Sequence, residues 1–224
     1  MMITGHAWSS AILCLGIAAS LFAGAAMGCE PPSTLREATP EEIRAFFASK
    51  KRKVVTFLGY SGAGYEDEAA MLDQAARILG ELDPKATIVN SGATAEGIGA
   101  VYRLAKERGF VTSGIVSTQA RENKVPLSTC VDIVFFVEDE TWGGFLPGTD
   151  ALSPTSKAMV ENSDVLIAIG GGEVARDELV AAKGWGKRVE FIPADMSHQI
   201  AREKAQKKGQ PAPTDFRGAA ATVF

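Results

Sequence analysis

A chain of 224 residues, 46% of them hydrophobic, is long enough to bury one sizeable core, and its formal net charge of −4 does not favour a nucleic-acid backbone as partner. Of its 2 histidines only His198 lies beyond residues 1–28, which excludes a multi-histidine metal centre in the rest of the chain, and its 3 cysteines are too few for a disulfide-dense scaffold. No metal site is expected.

Residues 1–28 contain no Asp, Glu, Lys or Arg and read as a targeting segment rather than as part of the fold. Their apolar stretch AILCLGIAASLFAGAA runs into small residues ahead of Cys29, after which the polarity changes abruptly. This pattern resembles a bacterial lipoprotein signal, which implies an exported, membrane-anchored chain lipidated at Cys29. An ordinary cleaved signal and a retained apolar anchor are the alternatives. With Cys29 lipidated, Cys130 has no partner in the rest of the chain, so no internal disulfide is expected and the core alone is to hold the fold.

Residues 29–39 are rich in Pro and polar groups and read as a tether. A single domain is expected over 40–224. Its first helix is signalled by TPEE, with Thr39 as N-cap, Pro40 at the first helical position and Glu42 three residues after the cap. The basic run SKKRK at 49–53 reads as a solvated turn before the first strand.

Short runs rich in β-branched or aromatic residues then recur at 54–59, 86–90, 111–117, 131–137, 164–170 and 187–193. Helical patterns lie between several of them: Met71, Leu72, Ala75, Ile78 and Leu79 share one face, as do Ile98, Val101, Tyr102 and Ala105. Strands that are nearly all apolar are buried on both faces, which points to a parallel sheet covered by helices on both sides. The expected fold is α/β, a single doubly wound, Rossmann-like domain. After the last strand, a helix capped by Ser197 precedes an extended tail; His198 at its start reads as a surface residue.

In such a sheet, ligands bind beyond the carboxyl ends of the strands. Three loops there are glycine-rich: GYSGAG, NSGATAEGIGA and GGGE. The first fits no standard template. As a Walker A loop it lacks the Lys, since Tyr65 and Glu66 stand in the required places; as a dinucleotide fingerprint it has Asp67 for the third glycine; as a nucleophile elbow it closes on Ala63. Even so, three loops on one edge mark a ligand site, drawn from Gly59, Ser61, Gly62 and Gly64 in the first, Ser91, Gly92, Thr94 and Gly97 in the second, and Gly170, Gly171, Gly172 and Glu173 in the third. Thr94 is read either as a helix cap or as a ligand contact. The connection 138–157, with no clear secondary structure in its first part, has the length of a lid or binding loop. Its Trp142 is read either as a stacking residue or as a surface anchor.

The order and spacing of FLGYSGAGYEDEAAMLDQAARILGEL, VNSGATAEGIGAVYRLAKERGFVTSGIV and MVENSDVLIAIGGGEVARDEL resemble the Lonely Guy and lysine decarboxylase-like group of the SLOG superfamily, over roughly residues 53–193. That resemblance implies a nucleotide-binding fold, and in one branch a phosphoribohydrolase acting on nucleoside monophosphates. The group's catalytic turn, P-G-G-x-G-T-x-x-E, is altered here. Ile169 replaces the proline, Val174 and Ala175 occupy the Gly-Thr positions, and the acid is Glu178 or, in the other register, Asp177. The arginine and lysine positions of the preceding helix hold Thr155 and Ser156, with Lys157 the nearest cation.

The reading that follows is a protein that binds a nucleotide or nucleotide-like phosphoribosyl molecule and requires no cofactor, as the molybdenum-cofactor-carrier branch of the resemblance does without catalysis. An N-glycosidase using Glu178 or Asp177 is the alternative, and a lipid-anchored module with a vestigial pocket the third. Expected partners are the small molecule, a membrane through Cys29 or the leader, and, left open, further copies of the chain as a homo-oligomer. Nucleic acid is not expected.

Overall fold

The computed structural model describes Met1, Met2 and residues 29–224, so the expected signal, apart from those two residues and Cys29, lies outside the described residues. No described helix is long and apolar enough to cross a membrane.

The chain folds as β1 (Thr34–Glu37), α1 (Pro40–Lys50), β2 (Lys53–Gly59), α2 (Glu68–Gly80), β3 (Thr87–Ser91), a 3-10 turn (Gly97–Ala100) leading into α3 (Val101–Glu107), and β4 (Val111–Ser117). It continues as α4 (Gln119–Glu122), β5 (Ile133–Val137), α5 (Pro154–Glu161), β6 (Val165–Ile169), α6 (Glu173–Gly184), β7 (Arg188–Ile192), α7 (His198–Lys207) and a final 3-10 turn (Ala219–Val223). The strands form one seven-stranded sheet in the order β1-β5-β4-β3-β2-β6-β7, and every pairing is parallel. The direction of winding reverses between β2 and β6, so the α/β, Rossmann-like expectation holds.

Alternation along the strands sets the two layers. Val55, Phe57 and Ile167 face α2 and α3 through Met71, Ala75, Val101 and Ala105. Val54, Ile88 and Phe135 face α1 and α5 through Ile43, Phe47 and Met159, and on the same side Leu58 and Leu166 meet α6 through Leu179 and Ala182. A buried polar seam crosses this second layer. Thr56, Asn90 and Ser113 stand side by side on β2, β3 and β4 and bond in sequence, Asn90 Nδ2 donating to Thr56 Oγ1 at 3.1 Å and Ser113 Oγ donating to Asn90 Oδ1 at 2.9 Å. A one-residue slip would leave these groups unpaired in the core, so the seam pins the register.

Local signals behave as their chemistry requires. Thr39 and Glu42 close a reciprocal capping box on α1, an arrangement worth about 1 kcal/mol. Ser197 caps α7, accepting from the Ile200 amide. Lys51, in the basic run, adopts a left-handed conformation at the end of α1, with φ of 52°.

Three expectations are corrected. The tether contains an edge strand, β1, which pairs with β5 although all 4 of its residues are exposed. The Cys29 sulfur is bonded to Cys130, so an internal disulfide exists, and that sulfur atom is not available for a thioether to lipid. The C-terminal tail is not free: Ala220 is fully buried against α6, and Phe224 stacks on Phe191.

Candidate functional site

A cavity of about 300 Å³ opens at the carboxyl ends of β2, β3 and β4 and is closed on its far side by α5 and the first turns of α6. Its floor is Phe57, Leu58 and Gly59 from β2 with Ile115, Val116 and Ser117 from β4; Thr155 and Met159 project from α5, and Val174, Ala175 and Glu178 from α6. Trp142, 53% exposed, lines it from the long loop. Such a position, beside the point where the winding reverses, is where α/β sheets hold ligands.

Of the residues expected at the site, the cavity gathers Gly59, Ser61, Ser91, Gly92, Thr94 and Glu178. The others do different work. Gly64 has φ of 61° and faces α7, its carbonyl accepting from Ser197. Gly97, with φ of 58°, lies so close to the Tyr60 carbonyl that a Cβ would collide with it. Gly62 is exposed, its carbonyl accepting from Lys204. Gly170 is buried against Tyr60 and the Ala194 carbonyl, and Gly171 against Ala175 and Ala220 of the C-terminal segment. Gly172 precedes α6 without a side-chain cap, and Glu173 is an exposed first-turn acid.

Thr94 is a local brace rather than a helix cap. Its Oγ1 accepts from the Glu96 amide and donates to the Glu96 carbonyl. Two further amides of this loop are engaged, Ile98 donating to the Tyr60 carbonyl at 2.7 Å and Gly99 to the Glu96 carbonyl at 3.1 Å.

The two candidate acids, neighbours in sequence, are separated by function. Asp177 is an anchor: its Oδ1 takes the Arg176 guanidinium at 2.8 Å and its Oδ2 the Phe145 amide at 2.8 Å, tying the long loop to α6. It does not line the cavity. Glu178 does line it, from one α-helical residue further on. Its Oε1 accepts from Ser156 Oγ at 2.7 Å, and Ser156 in turn accepts from the Gly144 amide at 2.7 Å. Glu178 Oε2 makes no hydrogen bond among the described residues. Burial, and next the charge of Asp177, push the carboxyl up to about 7 against the opposing pull of the Ser156 hydrogen bond.

Behind the cavity wall lie residues that the sequence reading did not assign to the site. Asp139, buried at the head of the long loop, accepts from the Thr155 and Thr141 amides. Burial raises its pKa, but these donors outweigh it and hold the carboxylate below its ordinary range. The Thr155 hydroxyl leans toward this carboxylate and contributes to that lowering, yet it finds no partner in hydrogen-bond geometry although only 4% of the residue is exposed. Thr155 and Ser156, standing at the resemblance's arginine and lysine positions, therefore both face the site's acids. Lys157 points outward toward Glu161. No described lysine or arginine lines the cavity, and the described residues contain no cluster of His, Cys, Asp and Glu suited to a metal.

No family model and no curated protein matches the chain. Among solved structures it is similar to the molybdenum cofactor carrier protein from Chlamydomonas reinhardtii, with 20% identity over 62% of this chain and 76% of that one and a TM-score of 0.46. It is similar to TM1055, a structural-genomics target, with 20% identity over 61% of this chain and 72% of that one and a TM-score of 0.46. It is also similar to DNA processing protein A from Streptococcus pneumoniae, with 15% identity over 74% of this chain and 60% of that one and a TM-score of 0.44. At these identities the likeness is one of fold alone.

Proposed function

We propose that this chain is a small-molecule binding protein whose cavity takes the base-bearing part of a nucleotide-like ligand. The observation that supports it is the cavity itself: a concave, mostly apolar space of about 300 Å³ at the reversal point of a parallel sheet, with one buried, oriented carboxyl in its wall. Few convergent polar groups in an apolar hollow fix a ligand's orientation, while the apolar walls supply most of its affinity.

The test is thermal unfolding of the full chain against a panel of nucleobases, nucleosides and nucleotides. A ligand at about 100 times its Kd stabilises by about 2.7 kcal/mol, a shift of several degrees. The shift is expected to vanish in Val174→Trp, which places a large side chain at the cavity mouth from a position already 37% exposed. No shift with any member of the panel overturns the reading.

A second reading is favoured by the elevated pKa of Glu178. A carboxyl that titrates at about 7 is placed to protonate a leaving base, the task of a general acid in N-glycosidic cleavage. Glycoside hydrolysis ordinarily uses a second carboxylate as nucleophile or base, and the cavity lining supplies only Glu178. Release of free base from a nucleoside, abolished in Glu178→Gln and retained in Asp177→Asn, is the outcome this reading requires.

A further inference from the structure

We infer that the ligand carries no phosphate and is gripped by an edge of a neutral heteroaromatic ring that sets an acceptor beside an N–H donor, a free base or its nucleoside, placed between Glu178 and Thr155 and covered by Trp142. This rests on the binding reading above and narrows it.

Four observations weigh against a phosphate. No described lysine or arginine lines the cavity, so a phosphate would lose its hydration without a counter-charge. In the loop after β3, the Glu96, Ile98 and Gly99 amides are already spent on Thr94, Tyr60 and Glu96. The glycine corner after β6 is occupied by the chain itself, with Ala220 donating to the Gly171 carbonyl at 3.0 Å and Tyr60 Oη donating to the Arg217 carbonyl at 2.6 Å. The first turn of α6 keeps unpaired amides, but Glu173 stands among them and offsets the attraction of that helix end for an anion.

What remains suits a flat ring with a donor beside an acceptor. Ser156 holds one oxygen of Glu178 and is itself held by Gly144, so the free Oε2 is presented in one orientation. In its protonated form a carboxyl offers one donor and one acceptor side by side, the complement of a ring edge that sets an acceptor next to an N–H donor. Thr155 Oγ1, buried and unpartnered, adds a hydroxyl on the adjacent wall. Trp142 borders the opening with an aromatic face of the kind on which bases stack.

Calorimetric titration of the full chain with adenine, adenosine and adenosine 5′-monophosphate, and with the three corresponding cytosine compounds, tests the inference. The base or nucleoside of at least one series is expected to bind at least about tenfold more tightly than its monophosphate. Glu178→Gln, whose amide also offers a donor and an acceptor, is expected to retain binding; Glu178→Leu is expected to lose it. Trp142→Ala, at an exposed position that does not threaten folding, is expected to weaken base and nucleoside alike. A monophosphate that binds as tightly as its nucleoside overturns the inference and leaves the binding reading standing, as does full affinity in both Glu178→Leu and Trp142→Ala. Absence of binding by every compound, in a protein that unfolds cooperatively, overturns both.

Discussion

Two corners of the same sheet edge carry the same residue type and use it in opposite ways. At the end of β2, Gly59 leaves room at the cavity floor and at the Tyr65 hydroxyl, while Ser61, Ser91 and Gly92 stand around open space. At the end of β6, Gly170 and Gly171 leave room for Tyr60, Ala194 and Ala220, and the space is filled by protein. Glycine marks a close approach, but what approaches is decided elsewhere in the chain. In this molecule the C-terminal segment takes the β6 corner, and the neighbouring cavity is left open.

The largest predicted effect falls on neither corner and supplies the reference for both. The Cys29–Cys130 disulfide closes a loop with a sequence separation of 101 and lies toward the end of the sheet where strands begin, so its loss is expected to cost about 2–4 kcal/mol. Denaturant unfolding of Cys130→Ser, or of reduced protein, measures this, and an unchanged midpoint together with a free Cys29 thiol would show that the bond does not form. Such a bond persists in oxidising compartments, so its detection in protein taken directly from cells would support export as well.

Next comes the filled corner. Gly218 has φ of 69°, and a Cβ there would meet the Gly171 carbonyl and the Tyr60 hydroxyl. Gly218→Val is expected to cost about 2–4 kcal/mol through strain and overpacking while ligand affinity per folded molecule stays the same. Loss of affinity without loss of stability would mean that the β6 corner is part of the binding site and would abolish the contrast.

The open side is probed by pH. Glu178 titrates near 7 in the folded protein against 4.5 ordinarily, so the folded state keeps its proton where the unfolded chain has released it. The stability linked to that proton is complete below about pH 4.5 and is lost as pH rises through about 7. Glu178→Gln is therefore expected to flatten the stability profile over that window and to unfold later than the parent at about pH 8, by about 1–3 kcal/mol. A parallel pair of profiles would place the carboxyl in an environment no different from water. Smallest is Tyr60→Phe, which removes the hydroxyl that donates to the Arg217 carbonyl and is expected to cost about 1 kcal/mol in unfolding free energy with no change in ligand binding.

The fold was legible where one local signal sufficed. The capping box at Thr39, the apolar strands and the helix capped by Ser197 all follow from short-range chemistry, and the sheet follows from strands apolar on both faces. What was missed depends on pairs distant in sequence. β1 has no buried side chain to announce it and exists through backbone pairing with β5. Cys29 and Cys130 can be paired only once the chain path is known. The choice between Glu178 and Asp177 was partly available, because Glu178 shares the buried helical face of Ala175, Leu179 and Ala182; what conceals Asp177 is the long loop, whose course no periodicity reveals. Thr155 was marked only as a departure at the resemblance's arginine position, and its own role shows only when the Asp139 carboxylate and the cavity are seen beside it. The tail did carry a hint, since the small residues from Gly218 to Ala221 suit a contact with a glycine corner.

The manner in which that tail closes the corner also sets an order of events during synthesis. Tyr60 and the Arg217 carbonyl it holds are separated by 157 residues, and β2 must await β6 before the centre of the sheet is complete. The covering segment lies downstream of every strand of the sheet. The β6 corner is therefore closed only after the strands that form it have been made, and folding of that edge ends with Arg217 and Ala220 settling over Tyr60 and Gly171.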